Sequence, residues 1–564
     1  MQSNVPSYVH GTSPQSLLPL TVAGLLQNTA ARYPNADALI VPYQGIRWSY
    51  RDLQKEVERY AAGFAALNLH PGERIGIWAP NCWEWVVTQF ASARAGLILV
   101  NINPAYRIAE LSYALATTGC AALIVTRQFK SSDYIAMLKE LIPELGEATA
   151  GQLDTARFPD LRLMLLLGQQ DEAGFMQFEA IPDKADKKHV KQIEKLQDQL
   201  QFDDPINIQF TSGTTGTPKA STLTHHNIVN NAYFVGLQMK LSEADRMCIP
   251  VPMYHCFGMV LGTLCCVAHG SAMVFSSAGF DAADVLRTID AEGCTVLHGV
   301  PTMFIAELEV PEFRDCKLTS LRTGIMAGAP CPVELMRRVM DEMHLSEITI
   351  AYGMTETGPV SFETSVDDPV ERRVTTVGRV LPHIEIKIVD EDGRIVPRGE
   401  AGELLTRGYC VMPYYWNDPE RTAKAIDEAH WIASGDVATI DDEGYCEIVG
   451  RIKDMLIRGG ENIFPREIEE YIYQHPAVEQ VEVIGVPDEK YGEQVCAWIK
   501  LREGSSATGE EIRAFCKGKI AHFKVPEYVK FVDEFPMTVT GKVQKYIMRE
   551  MMTDELEKQP SRTG

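Results

Sequence analysis

Small and hydroxylated residues crowd together at Thr211-Ser212-Gly213-Thr214-Thr215-Gly216-Thr217-Pro218-Lys219, directly after the strand-like apolar stretch Ile206 to Phe210. Glycines let backbone N–H groups come close to an anion, hydroxyls add donors, and Lys219 adds a positive charge, so the loop suits a polyphosphate. A solvated surface loop is the competing reading of the same composition. The Walker phosphate loop does not fit, since Pro218 precedes Lys219 and Ala220 follows it. Farther along, Thr355-Glu356 follows a second strand-like run, Ile348 to Tyr352. A carboxylate there suits Mg²⁺, an ion that takes oxygen ligands and bridges phosphates, although the pair could equally cap a helix. Taken one at a time, Gly328-Ala329-Pro330, Asp436, Gly459-Gly460 and Gly541-Lys542 read as ordinary turns, and Gly450-Arg451-Ile452-Lys453-Asp454 as a charged linker.

Taken in order, these segments resemble the motifs of the adenylate-forming superfamily, which includes acyl-CoA synthetases, luciferases and the adenylation domains of peptide synthetases. The resemblance spans roughly residues 20 to 550, and Ala220 stands where most members carry Gly. It implies that Thr211, Ser212, Gly213, Thr214, Thr215, Gly216 and Lys219 wrap the ATP phosphates. In Tyr352-Gly353-Met354-Thr355-Glu356, Thr355 is implied at the α-phosphate and Glu356 at Mg²⁺. Gly328-Ala329-Pro330 is implied along the adenine. Asp436, in Trp431-Ile432-Ala433-Ser434-Gly435-Asp436, is implied at the ribose together with Arg451. Lys453 is implied as the pivot of a hinge, Gly459-Gly460 as the lining of the coenzyme A approach, and Lys542, in Pro536-Met537-Thr538-Val539-Thr540-Gly541-Lys542, as the lysine that meets the reacting carboxylate and α-phosphate.

The implied chemistry is activation of a carboxylic acid as an acyl-adenylate, followed by transfer to the thiol of coenzyme A. No G-x-S-x-G element is present, which disfavours a serine hydrolase. Pro252-Met253-Tyr254-His255-Cys256-Phe257-Gly258 resembles the opening of the acyl pocket, with His255 implied at the carboxylate end. Amino-acid-activating relatives place an Asp where this chain has Cys256, and acetate-specific relatives place a Trp where it has Gly353-Met354. A deeper apolar pocket lined by Phe257, Met259, Val300, Pro301, Thr302, Met326, Ala327 and Val360 is expected, most like that of medium-chain-type fatty acyl-CoA synthetases. The alternatives are an acyl-AMP ligase that loads a carrier protein and a non-catalytic nucleotide sensor. No unexplained insertion lies between Thr355 and Arg451 to support the first, and retention of Lys542 and Glu356 opposes the second.

The elements that must position these residues read as α/β. Apolar, strand-like runs such as Arg74 to Ala79, Ala122 to Thr126, Thr295 to Val300 and Leu321 to Ala327 alternate with helix-like segments, as in sheets covered on both faces. From about Glu385 the texture turns to short strands and turns, predicting a small β-rich subdomain. The expected organisation is a large domain over residues 1–450, a hinge over 451–454 and a smaller, mobile α+β domain over 455–564.

The 564 residues carry a net charge of −23, which argues against nucleic acid as a partner, so anionic substrates must meet locally placed Lys and Arg. Thirteen Cys occur without a C-x-x-C pair, and a reducing cytoplasm is the simplest compartment. Met1 to Pro19 has neither an apolar core behind a basic start nor an Arg-rich amphipathic pattern. The apolar run Cys256 to Ala268 falls short of the roughly twenty residues that span a bilayer and reads as a buried core helix. Peripheral membrane contact and a homo-oligomer stay open at this level.

Overall fold

Two large sheets organise most of the chain. The computed structural model describes residues 5–211, 218–329, 331–488, 490–537 and 542–558. The eight-stranded sheet runs in the order Met176–Gln177, Leu163–Leu166, Cys120–Val125, Arg74–Trp78, Ile98–Asn101, Pro205–Thr211, Lys219–Thr224, Tyr414–Tyr415. The nine-stranded sheet has a parallel centre of Glu347–Tyr352, Thr323–Ala327, Val296–Gly299, Arg246–Cys248 and Ala272–Val274. Its parallel strands are buried on both faces, as continuous apolar runs require. Alternation is visible in Thr323–Ala327, where Ile325 and Ala327 join the core between the two sheets while Met326 joins a separate core under the outer helices.

The charged stretch after Asp183 is a solvated helix, Lys187–Leu196, capped by Asp186. The apolar run after Cys256 is helical and buried, wound as a wide π-helix over Phe257–Leu264 before tightening into Cys265–His269. Among the described residues no helix is long and apolar enough to cross a membrane.

The small β-rich unit is a five-stranded sheet in the order Tyr8–His10, Ile384–Val389, Gly402–Gly408, Ile432–Ile440, Cys446–Arg451. Its first strand comes from near the start of the chain, where the sequence had suggested no element; Tyr8 pairs with Lys387 and His10 with Glu385. After Arg451, a single helical turn at Ile452–Asp454 leads into an α+β unit. There the long hairpin Val478–Asp488 and Gly492–Leu501 is packed by Pro465–Tyr473, Gly509–Cys516 and Lys545–Glu557. This unit rests on the preceding sheet, where Arg466 donates to the Ile448 carbonyl at 2.7 Å.

Candidate active site

The predicted residues gather where strands of both large sheets end at their carboxyl edges, the position at which open α/β sheets bind ligands. Strand Glu347–Tyr352 ends in Gly353, and a Cβ there would stand 2.0 Å from the Pro359 carbonyl oxygen, so only glycine lets the chain turn back on itself. The helical turn Thr355–Thr357 follows. It is held by Thr357, whose hydroxyl donates to the Met354 carbonyl at 3.0 Å and accepts from the Met354 N–H at 3.1 Å. Thr355 and Glu356 are thereby fixed, and both are buried.

Glu356 takes two hydroxyl donors on Oε1: Thr211, from the end of the neighbouring strand, at 3.2 Å, and Tyr415 at 2.9 Å. Lys219, on the far side of the phosphate-type loop, lies with Nζ 3.5 Å from the Tyr415 hydroxyl. Ser212, Gly213, Thr214, Thr215, Gly216 and Pro330 lie outside the described residues. Both hydroxyls thus converge on one oxygen of the Glu356 side chain. Among the described residues no group of three or more His, Cys, Asp or Glu side chains converges. A lone carboxylate amid oxygen donors fits Mg²⁺, which keeps waters and phosphate oxygens as its other ligands.

Asp436 is buried and doubly engaged. Tyr352 donates to its Oδ2 at 2.5 Å, and Arg451 Nε lies 3.1 Å from its Oδ1. Asp436 stands opposite Arg451 in the next strand, just before a register shift between Val437 and Ala438, and the Ser434 hydroxyl accepts from Asp436 N–H at 3.0 Å. Burial, then the neighbouring Asp436, lifts the Tyr352 phenol well above its ordinary range, so it stays a donor. Burial works against the Arg451 charge, but Asp436 and Asp454 outweigh it.

His255 follows a segment pinned by Asn81, which accepts from Met253 N–H at 2.8 Å and donates to the Val251 carbonyl at 3.0 Å. Its Nδ1 accepts from Phe257 N–H at 3.1 Å, leaving Nε2 as the protonated nitrogen. Burial, then the charge of Lys542, depresses its pKa to about 3, so it is neutral at physiological pH. The adjacent Cys256 thiol lies 3.8 Å from the Thr355 hydroxyl and is pushed up to about 12 by burial, so it is no thiolate.

Lys542 reaches this cluster from the last part of the chain. Its Cε lies 4.0 Å from where a Cβ on Gly328 would stand. Burial, then Arg451, lowers its proton affinity, while Cys256, Asp436 and Glu356 oppose that shift. Thr355, Glu356, Tyr352, Asp436, Arg451, His255, Cys256, Gly328 and Lys542 are thus brought together. Ala329 sits beside Gly328, its carbonyl 3.5 Å from the Cys331 thiol.

Lys453, Gly459 and Gly460 stand apart. Lys453 is exposed on the turn after Arg451. Gly459-Gly460 form the exposed tip of the hairpin Leu456–Arg458 and Glu461–Ile463, both with positive φ (61° and 89°), as a two-residue type I′ turn demands. Of the expected acyl-pocket lining, Phe257, Met259, Val300, Ala327 and Val360 share one core layer. Met326 does not: successive side chains of a strand face opposite ways, and it packs with Phe304 and Leu335 on the other side of the sheet. Tyr415 was missed, because a Tyr in a short apolar run carries no signal beyond core packing.

Residues 26–416 match the AMP-binding enzyme family and residues 467–542 match the AMP-binding enzyme C-terminal domain. The chain belongs to the AMP-binding enzyme family. It is 47% identical over 553 residues to the medium-chain acyl-CoA ligase ACSF2, mitochondrial, of Danio rerio, covering 98% of this chain and 91% of that one. It is 48% identical over 535 residues to the putative acyl-CoA synthetase YngI of Bacillus subtilis (strain 168), covering 95% and 97%. Among solved structures, the anthranilate CoA ligase AuaEII in complex with anthranoyl-AMP superposes with a TM-score of 0.84 at 25% identity, covering 96% of this chain and 98% of that one. ATP-bound MatB from Rhodopseudomonas palustris superposes with a TM-score of 0.80 at 27% identity, covering 95% and 100%.

Proposed function

We propose that this enzyme is an acid-thiol ligase that activates a medium- to long-chain fatty acid with ATP and transfers the acyl group to coenzyme A. The observation that carries the reading is the seating of Lys542 in the cluster of Glu356, Thr355, His255 and Asp436. A carboxylate oxygen attacks the α-phosphorus, an O–P bond forms, the bond to the β-phosphate oxygen breaks, and pyrophosphate leaves. The mixed anhydride is then attacked at its acyl carbon by the coenzyme A thiol, which loses its proton as the thioester forms and AMP departs. The difficulty of the first step is repulsion among anions, so the protein's contribution is electrostatic. In this reading Lys542 meets the carboxylate and α-phosphate, and Thr355 donates to the α-phosphate. Lys219 lies along the phosphate path, Asp436 with Arg451 holds the ribose, and neutral His255 borders the acid. Glu356 would hold Mg²⁺, which would supply charge neutralisation at the phosphates.

The same reading assigns residues 1–450 to nucleotide and acyl binding, 451–454 to a hinge and 455–564 to a mobile domain that exchanges Lys542 for Gly459-Gly460 between half-reactions. The exposure of the Gly459-Gly460 tip supports it. An aliphatic substrate is supported by the shared apolar layer of Phe257, Met259, Val300, Ala327 and Val360 and by the name of the ACSF2 relatives. A cytoplasmic location rests on the free, mostly buried cysteines. The test is pyrophosphate release across straight-chain acids from C2 to C16, aryl acids and amino acids, with and without coenzyme A. Each buried methylene contributes about 0.8 kcal/mol, roughly fourfold in kcat/KM, until the pocket ends. Acetate turned over as well as octanoate would refute the pocket assignment.

A further inference from the structure

Glu356 is held from an unexpected direction. The segment Tyr409 to Trp416 crosses over the turn that carries Glu356 and is fastened along its length. Asn227 donates to the Tyr409 and Val411 carbonyls, Met412 N–H donates to the Glu356 carbonyl at 2.9 Å, and Trp416 N–H donates to the Ala220 carbonyl at 2.8 Å. Strand Tyr414–Tyr415 then pairs antiparallel with Lys219–Thr224, with Tyr415 opposite Ser221, and the Tyr415 N–H donates to the Thr422 hydroxyl at 3.0 Å. These bonds leave Tyr415 little freedom. Its side chain is 3% exposed and Glu356 is 6% exposed, so their contact is shielded from water.

The Tyr415 hydroxyl does two things at once. It donates to Glu356 Oε1 at 2.9 Å, and it lies 3.5 Å from Lys219 Nζ, whose ammonium also sits 5.2 Å from the phenol ring centroid. With Thr211 donating to the same Oε1, both donors fall on one carboxylate oxygen, which sets the plane of the carboxylate and directs Oε2 elsewhere. Hydrogen-bonded partners of this kind orient a ligating group and tune its affinity for a metal.

We infer that Tyr415 is a positioning residue for adenylation, bridging the phosphate-loop Lys219 and the metal-site Glu356 so that Oε2 faces the cation and the ammonium faces the phosphates. The inference rests on the reading of Glu356 as the carboxylate that holds Mg²⁺. Tyr415 acts through Glu356 and Lys219 and touches neither substrate nor metal.

The test is Tyr415→Phe, which keeps the ring packing and the ring contact with Lys219 and removes one oxygen. Binding of Mn²⁺·ATP is followed by electron paramagnetic resonance on the full chain, alongside ATP–pyrophosphate exchange and thioester formation from synthetic acyl-AMP and coenzyme A. Loss of one hydrogen bond to a charged acceptor should weaken Mn²⁺·ATP binding about tenfold or more. Exchange should fall by a similar factor, while thioester formation, which involves no pyrophosphate, stays within about twofold. A double-mutant cycle separates positioning from general damage: added to Glu356→Gln, Tyr415→Phe should have no further effect on Mn²⁺·ATP binding. If Glu356→Gln alone leaves that binding unchanged, the reading of Glu356 as the metal ligand fails. If Glu356→Gln weakens it but Tyr415→Phe does not, or the two effects simply add, the bridging role of Tyr415 fails and the rest stands.

Discussion

Replacing Lys542 with Ala should separate the two half-reactions. Lys542 is half-buried, feels the charges of Arg451, Asp436 and Glu356, and sits against the turn at Gly328. Two unit charges about 4 Å apart at an effective dielectric near 20 interact by about 4 kcal/mol. Removing one preorganised donor from a developing anion costs about 3 to 4 kcal/mol in rate. The two estimates agree on a loss of several hundredfold in adenylation. Arg451, which is held by Asp436 at 3.1 Å, cannot substitute for it without leaving that carboxylate. The lowered proton affinity of Lys542 adds a pH signature: wild-type adenylation should decline as pH rises through a value below the usual lysine range near 10.4, and Lys542→Arg should lose that alkaline limb. The assays are acid-dependent ATP–pyrophosphate exchange and, separately, thioester formation from synthetic acyl-AMP and coenzyme A, both on protein shown to bind ATP. Exchange should collapse in Lys542→Ala while the thioester step continues near the wild-type rate. Retained exchange would refute the electrostatic argument, and equal loss of both steps would refute the assignment of Lys542 to the first.

Asp436→Asn removes the charge that both Tyr352 and Arg451 engage, and calorimetry should show ATP binding weakened by about tenfold to a hundredfold, as for loss of a charge-assisted hydrogen bond; unchanged affinity would detach Asp436 from the nucleotide. Gly328→Ala places a Cβ at a φ of +88°, 3.2 Å from Val300 Cγ1 and 4.0 Å from Lys542 Cε, so adenylation should fall by more than the roughly 1 to 2 kcal/mol of strain expected in denaturant titrations. Glu307 is wholly buried with neither carboxyl oxygen partnered, and burial raises its pKa well above the ordinary value. A raised carboxyl pKa gives stability that is fully present below about pH 4.3 and lost as pH rises, so Glu307→Gln should melt higher than wild type at pH 8 and equally near pH 4. A pH-independent difference would contradict it.

The parts of the fold that the sequence disclosed are those governed by periodicity. Apolar runs such as Arg74–Trp78 and Glu347–Tyr352 became central parallel strands because only a strand covered on both faces is apolar throughout. The candidate site residues, Glu356 and Asp436 among them, were legible only through the order of their motifs along the chain, since each alone reads as a helix cap or a turn. Three features escaped, each for a geometric reason. Met326 shares composition with its neighbours, and only the strand's alternation, once its ends are known, sends it to the outer core. Tyr415 is remote in sequence from Glu356 and reaches it through a sheet pairing that no local pattern specifies. The pairing of Arg451 with Asp436 across adjacent strands lies just beyond a register shift between Val437 and Ala438, which becomes visible only in three dimensions.

Strand Tyr8–His10 has a consequence for the order in which the molecule is made. Its partner, Ile384–Val389, lies some 375 residues later, and Ser7 N–H is further bonded to the Val396 carbonyl. At about 5 to 20 residues per second of synthesis, the opening segment waits roughly 20 to 75 s after leaving the ribosome before its seat in the sheet exists. Until then its backbone donors and acceptors are open to solvent, proteases and any passing binding groove. Once Ile384–Val389 emerges and Gly402–Gly408 pairs on its other side, Tyr8–His10 covers what would otherwise be a bare sheet edge. A segment synthesised so long before its partner is therefore secured late. A shortened chain beginning after His10 would keep the cluster around Glu356 intact yet expose that edge, and would betray itself by association between molecules rather than by loss of nucleotide binding.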